Sequence, residues 1–479
     1  MYDSIIEVLN LKGDNVKVTD TDNSQPGKLF ISIEKNTRPS ICPICGQTLY
    51  SKGSDIRTLN HPILQDGRDV ILRVKKMKYK CSNPECSYFT SDSFSFAPKG
   101  KHSTNILPLL ILDKFRKLNV TARDVAEELN VSDSTVHQTF LDTLDLDRLP
   151  LTEVISIDEV FLNIDFKHKY ALVILDFLTG LPIDFLPSRR DEDTKPYFSA
   201  IPVEERNNVK YLICDMYNPY IKYVSKYFRS AKAVIDCFHV IKWINDRLRT
   251  YYNAVKRKYA SMDRKKLDES NQMTNRNYKT RKQSREMYLL THYDYFLFSN
   301  KENIDYTRDA YYDSYFHSYL DSFQREKLFF SLDDKFEVYR DLREKYIEFD
   351  RKAKEDPKKA SEYLDEVISC YVNSGEAIFI NFADIIEKHR KYILTSYTFV
   401  EVTDSKGNKV IRRLSNGPIE QYNSNVKTLK RISKGVKNFE YTRLRLLWAT
   451  RPDSDIQLRS SDNKIRLKGA KRGKYNKNK

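Results

Sequence analysis

The sequence lacks any apolar run approaching the roughly 18 residues a membrane span needs. Its longest candidates, such as residues 170–177, have the length of buried strands. The opening Met1-Tyr2-Asp3-Ser4 lacks the basic-then-apolar layout of a signal peptide. Seven cysteines, an odd number with four of them clustered early, argue against a secreted disulfide scaffold. No repeat of fixed period is present, and between 251 and 395 there is one proline, Pro357. These absences predict a soluble, cytoplasmic protein. What is present is length, charge and aromatics. With 479 residues the chain is too long for one ordinary core, and three or four domains are expected. Lysine and arginine exceed aspartate and glutamate by 82 − 66 = 16, a balance that points to a polyanionic partner. A hydrophobic content of 40% with 12% aromatics excludes wholesale disorder.

Residues 1–95 read as short strands and turns, with Leu72 and Val74 alternating against Arg73 and Lys75. Cys42-Pro43-Ile44-Cys45-Gly46 has the form of a zinc-binding turn, and Cys81 and Cys86 supply a second pair among lysines. Four thiolates leave no open coordination position, so one structural Zn²⁺ is expected. At 96–150 the period becomes helical. Val125 and Leu129 share a face, Asn130 stands where a left-handed turn residue is needed, and Ser132 can cap a second helix with Val136 and Phe140 inward. Ser134, His137 and Gln138 then face outward, the layout of a helix-turn-helix that reads a major groove. An ordinary helical hairpin is the alternative.

Residues 151–250 alternate apolar strands with amphipathic helices, an α/β pattern in the order β-β-β-α-β-α-β-α of an RNase H-like fold. Asp158 interrupts an apolar strand, and Asp215 ends another. A carboxylate there is costly to bury unless a cation neutralises it. Strands about 4.8 Å apart can place such carboxylates around two ions. Hard oxygen ligands favour Mg²⁺ or Mn²⁺. A helix beginning at Gly417 and Pro418 offers a third carboxylate, Glu420, and continues with a basic stripe of Lys427, Lys430 and Arg431 suited to phosphates. Residues 251–395 are charged, tyrosine-rich and helical, and 451–479 reads as a basic disordered tail.

Taken in order, the cysteine module, the helix-turn-helix, Ile157-Asp158-Glu159, Cys214-Asp215-Met216 with Tyr220, Asp236-Cys237-Phe238-His239-Val240 and Asn416-Gly417-Pro418-Ile419-Glu420 with Lys427 and Lys430-Arg431 resemble a bacterial insertion-sequence DDE transposase of the ISL-three family. The resemblance covers nearly the whole chain. It implies a multidomain α/β protein: a zinc ribbon at 1–95, a helix-turn-helix at 96–150, an RNase H-like core at 151–250 and 396–450, and a helical insertion at 251–395. It implies Asp158, Asp215 and Glu420 as catalytic ligands of two Mg²⁺ or Mn²⁺ ions, DNA ends and target DNA as partners, at least a homodimer on DNA, and a nucleoid location. Departures are the wide second cysteine pair, Gln421 where a small residue is expected, and the long lysine-rich tail.

Rivals exist at several positions. Glu159 neighbours Asp158, but adjacent strand residues face opposite ways, and the shorter Asp158 matches its partner Asp215. Asp236 with His239 is either an auxiliary pair near the site or a helix cap with a buried histidine. Arg189 and Arg190 either contact phosphates or are solvated, and Glu440 is expected at the surface. Two other function classes stay open: a DNA-binding regulator on a silent scaffold, and a nuclease that cuts without joining strands.

Overall fold

The computed structural model describes residues 2–62, 68–274, 283–404, 406–435, 438–452, 454 and 457–458. Of the basic disordered tail expected at 451–479, residues 459 onward lie outside the described residues, as does Ser405 in the turn before the last helical block. Residues 457–458 form a short paired strand rather than a disordered stretch.

Helix α1 (Tyr2–Val8) precedes a five-stranded sheet of β1 (Val16–Asp22), β2 (Lys28–Lys35), β3 (Leu49–Asn60), β4 (Asp69–Cys81) and β5 (Phe89–Ser91), ordered β1-β2-β4-β3 with β5 against β4. Val70, Leu72 and Val74 alternate inward on β4 and meet Ile31, Ile33, Leu59 and Phe96. Three helices follow: α2 (Ile106–Lys114), α3 (Ala122–Glu128) and α4 (Asp133–Thr143). Local chemistry sets their ends. The Thr121 hydroxyl accepts from the Asp124 N–H at 3.1 Å, and the Asp124 carboxylate accepts from the Thr121 N–H at 2.8 Å, a reciprocal cap. Asn130 turns the chain at φ +48°, and Ser132 caps α4. A two-residue strand, β6 (Leu144–Asp145), closes this stretch.

The second sheet contains β7 (Val154–Phe161), β8 (Tyr170–Asp176), β9 (Pro182–Leu186), β10 (Tyr211–Cys214) and β11 (Lys232–Ile235) in the order β11-β10-β7-β8-β9. β7, β8 and β9 are antiparallel neighbours, whereas β10 runs parallel to both β7 and β11. Helices α5 (Asp191–Ala200), α6 (Val203–Asn207) and α7 (Asn218–Tyr227) supply the crossovers. The sequence pattern predicts one helix at about 194–205; Pro202 instead separates α5 from α6. Alternation decides the two faces of the sheet. Ile155, Ile157 and Leu212 pack with Phe198, Tyr220 and Tyr223, while Val154 and Ile213 pack with Val402 and Leu414.

From β11 the chain enters α8 (Cys237–Thr274), so the boundary placed near 250 falls inside one continuous helix. Then come α9 (Arg285–His292), α10 (Tyr295–Phe298), the hairpin β12 (Tyr311–Asp313) and β13 (Ser318–Leu320), α11 (Ser322–Phe330), α12 (Lys335–Glu355), α13 (Ala360–Val372) and α14 (Ala377–Thr395). Tyr293, Phe296, Phe329 and Phe330 lie in the core of this helical region, and Tyr295 and Phe298 pack against it. A second hairpin, β14 (Phe399–Thr403) and β15 (Lys409–Arg413), leads to α15 (Gly417–Ile432), and α16 (Phe439–Thr450) is followed by a two-residue strand, β16 (Gln457–Leu458), paired with β6.

The sequence reading assigns helix α16 to the second part of the catalytic core. It packs elsewhere: Leu444, Leu447 and Trp448 fill the core formed by α2, α3 and α4. Arg445 is 1% exposed and caps backbone carbonyls of Lys117 and Val120, besides that of Phe115, across about 325 residues of sequence. The chain accordingly divides into two compact units: Met1–Arg148 with Leu162–Lys169 and the described residues from Asn425 on, and Leu149–Phe161 with Tyr170–Ser424. Among the described residues no helix is long and apolar enough to cross a membrane.

Candidate catalytic and metal centres

The second unit gathers three carboxylates from three elements. Asp158 lies on β7, Asp215 follows the last residue of β10, and Glu420 is in the first turn of α15. The parallel register pairs Ile213 with Ser156, and continuing it by two residues brings Asp215 level with Asp158. Burial pushes the Asp158 carboxyl up to about 6, and the negative charges of Asp215, Glu159 and Glu420 push the same way. Asp158 Oδ2 accepts a hydrogen bond from Asn423 Nδ2 at 2.7 Å. Asn423 stands three residues after Glu420, on the same helical face.

Glu159 takes the opposite side of the strand, as alternation requires. It pairs with Arg189 Nη1 at 2.8 Å and accepts from the Tyr220 hydroxyl at 3.3 Å. Arg189 is thereby engaged with protein, and its guanidinium also lies 4.5 Å from the Tyr217 ring centroid. Asp236 is 4% exposed. It accepts from Arg413 Nη2 at 2.9 Å and from the Asn416 backbone N–H at 3.0 Å, tying the segment before α15 to the end of β11. His239, in the first turn of α8, contacts the Asn416 side-chain amide and lies 3.8 Å from Glu420 Oε1. Burial pulls the His239 imidazole below its ordinary value. A cleft of about 350 Å³ opens beside it, lined by Asp215, Tyr217, His239, Lys242, Trp243 and His389 among others.

Among the described residues, Asn416 Oδ1 and Asn423 Oδ1 are buried acceptors that meet no donor. An orphaned amide oxygen beside Asp158, with three carboxylates close by, is a donor set that fits a hard divalent cation. The ligand oxygens of the three carboxylates do not all lie within 4.8 Å of one another.

The first unit holds a different centre. Cys42, Cys45, Cys81 and Cys86 bring their sulfurs within 4.8 Å of one another. Cys45 Sγ is 3.3 Å from Cys81 Sγ, and Cys42 Sγ is 3.8 Å from Cys86 Sγ. A tetrahedron with arms of about 2.3 Å has edges of about 3.8 Å, so the cluster is compatible with zinc.

The other residues expected to meet DNA differ in their exposure. Ser134 and Gln138 line a cleft of about 620 Å³ together with Asn60 and Lys101, and Gln138 Nε2 donates to Asp142 at 2.7 Å. The His137 ring lies 4.3 Å from that of Tyr441 on α16, so part of it is packing. Lys427 and Arg431 are exposed and Lys430 is half-buried. Glu440, half-buried, pairs with Arg443 at 3.2 Å. Asn416, Asn423, Arg413 and Tyr220 are the site residues that sequence reasoning gave no role. Asn416 and Tyr220 stood in or beside motifs that carry the family resemblance, and Asn423 had the signal of its three-residue spacing from Glu420, whereas nothing marked Arg413.

A sequence profile of the ISL-three DDE transposases, described as a transposase family, matches residues 155–446, more than half of the chain. The chain belongs to that family. A search of curated proteins finds none that matches. As a transposase, the protein acts on DNA, and enzymes of the DDE class are nucleases and strand transferases that generally use divalent metal ions. The matched segment of this transposase contains Asp158, Asp215, Asp236, His239 and Glu420, and excludes the four-cysteine cluster.

Proposed function

We propose that the protein binds the terminal inverted repeats of its own insertion sequence and catalyses metal-dependent cleavage and strand transfer. Asp158, Asp215 and Glu420 hold the metal ions in this reading, with Asn423 orienting Asp158. The sheet order β11-β10-β7-β8-β9, with three antiparallel strands followed by two parallel ones, supports an RNase H-like core. The observation that carries the proposal is the half-buried Asp158 carboxylate, hydrogen-bonded by Asn423 at 2.7 Å beside the orphaned Asn423 Oδ1 and facing the like charges of Asp215 and Glu420. Such crowding of like charge is unfavourable without a cation, and it is what a two-ion site requires. When bound, two Mg²⁺ or Mn²⁺ ions supply charge stabilisation for an attacking and a leaving oxygen. The protein's share is to fix the carboxylates on a rigid sheet and to anchor Glu420 through Asp236, Arg413 and Asn416.

The four cysteines hold one structural Zn²⁺ in a zinc ribbon, and α3 and α4 form a helix-turn-helix whose Ser134 and Gln138 reach bases. Lys427, Lys430 and Arg431 take phosphates. Two ends are processed together, so the active assembly is at least a homodimer. The test uses purified protein, Mg²⁺ and labelled end DNA, with Asp158→Asn, Asp215→Asn and Glu420→Gln as comparisons. Cleavage and joining by the parent protein, lost in all three variants with end binding retained, is the expected result. Cleavage without joining favours a nuclease, and specific binding without cleavage a regulator.

A further inference from the structure

The long helix α8 is built in two unlike halves. Val240, Ile244, Leu248, Tyr252 and Val255 are buried, at the spacing of one helical face. Past Val255 no residue of the helix is buried; Tyr259 makes one further anchor, donating from its hydroxyl to Leu332 O at 2.9 Å. A polar helix in water usually needs ion pairs three or four residues apart to hold it. Among the described residues, Arg257, Lys258, Arg264 and Lys265 enter no ion pair, although all four are exposed. Asp263, one of the few acids nearby, accepts from the Ser284 N–H at 3.4 Å. From Lys242 to its end at Thr274 the helix carries nine lysines and arginines against Asp246, Asp263, Asp268 and Glu269.

We propose that the exposed side of α8 is a track for duplex DNA, along which the flanking duplex runs away from the carboxylate cleft. The helix begins at that cleft: Lys242 lines it with Asp215 and His239. From Lys242 to Arg264 is 22 residues, about 33 Å along a helix axis, close to one turn of B-DNA at about 34–36 Å. A backbone that meets Lys242 therefore returns to the same side near Arg264. The pairs Arg257/Lys258 and Arg264/Lys265 are seven residues apart and share one side of the helix. The surface carries cations with long stems. It is a surface for phosphates, indifferent to sequence. Release of counterions from DNA supplies the binding energy.

The direction of the track rests on the carboxylate assignment above, but its existence is read from binding alone. The experiment measures the affinity of the full-length protein for duplex DNA of arbitrary sequence over a range of salt. The variant carries Arg257→Gln, Lys258→Gln, Arg264→Gln and Lys265→Gln. The slope of log affinity against log salt is expected to fall by about 0.9 for each phosphate that is no longer neutralised, about 3 to 4 in all. A control removes as much charge elsewhere, with Arg351→Gln, Lys354→Gln, Lys358→Gln and Lys359→Gln, and is expected to change the slope by less than about 1. If the first variant keeps the parent slope, or the control lowers it equally, there is no track. Should the fourfold variant unfold, Arg264→Gln with Lys265→Gln is expected to give about half the change. Loss of the track with cleavage intact on short ends leaves the carboxylate assignment standing, and loss of cleavage in Asp158→Asn leaves the track standing.

Discussion

Arg413→Met removes the cation that neutralises Asp236. Their side chains are 14% and 6% exposed, and Arg413 Nη2 lies 2.9 Å from Asp236 Oδ1. Methionine fills much of the same space but leaves a buried carboxylate facing one backbone N–H, that of Asn416. Stranding one partner of a buried pair costs about 3–5 kcal/mol. Asp236→Asn added to Arg413→Met removes the stranded charge, and about 1–2 kcal/mol should return. The chain has two tryptophans, one in each unit. Trp243 packs on Phe382 at 4.9 Å between centroids, so in a Trp448→Phe background its fluorescence follows urea unfolding of the second unit alone. Because Asp236 anchors Asn416, and the Glu420 N–H donates to Asn416 O at 3.0 Å, Arg413→Met should also slow end cleavage about tenfold or more while end binding is kept. A stability loss under about 1 kcal/mol, or no recovery in the double variant, would refute the claim that this pair holds the segment before α15 in place.

Asn423→Ala should lower the cleavage rate with little effect on DNA affinity, and Asn423→Asp, by adding a fourth acid beside Asp158, should lower it further; rates at saturating DNA decide this. Chelation of zinc, or Cys81→Ser, should abolish specific end binding while the Trp243 unfolding midpoint is unchanged, and metal analysis should return about one zinc per chain. Burial holds the His61 imidazole down at about 4, so it is neutral in the folded protein. The unfolded chain takes up a proton below its ordinary value of about 6.5, so stability is complete above that pH and falls as the pH drops towards 4. The loss totals about 3 kcal/mol, and Trp448 fluorescence in a Trp243→Phe background should report it. Thr121→Ala should cost the first unit about 1 kcal/mol by removing the reciprocal cap on α3, measured the same way.

Features fixed by neighbours in sequence were legible. Asn130 and Ser132 mark the turn into α4 because caps and left-handed turns depend on residues one to three positions away, whereas the Thr121 cap on α3 emerged only in the structure. The succession of strands and helices along the second sheet followed from apolar runs and the helices between them, except for the break at Pro202. Partnerships across long separations were not legible. Asp236 meets Arg413, 177 positions later, and Asp158 meets Asn423, 265 positions later. Glu159 and Asp158 were separable by strand alternation, but nothing in the sequence said that Arg189 and Tyr220 would occupy the Glu159 side. The same blindness put α16 with the catalytic strands: its apolar residues Leu444, Leu447 and Trp448 announce burial without saying against what.

That last placement has a consequence for synthesis. The core around Phe115, Val136 and Phe140 remains open until Leu444, Leu447 and Trp448 have been translated, about 300 residues later. At roughly 5–20 residues per second the ribosome needs about 15–60 s to get there. A nascent chain can therefore finish its carboxylate-bearing sheet while its N-terminal helices still lack their last packing partner. A chain that stops before Leu444 never receives that partner, so premature termination yields products with an incomplete N-terminal core rather than stable competitors for the same DNA.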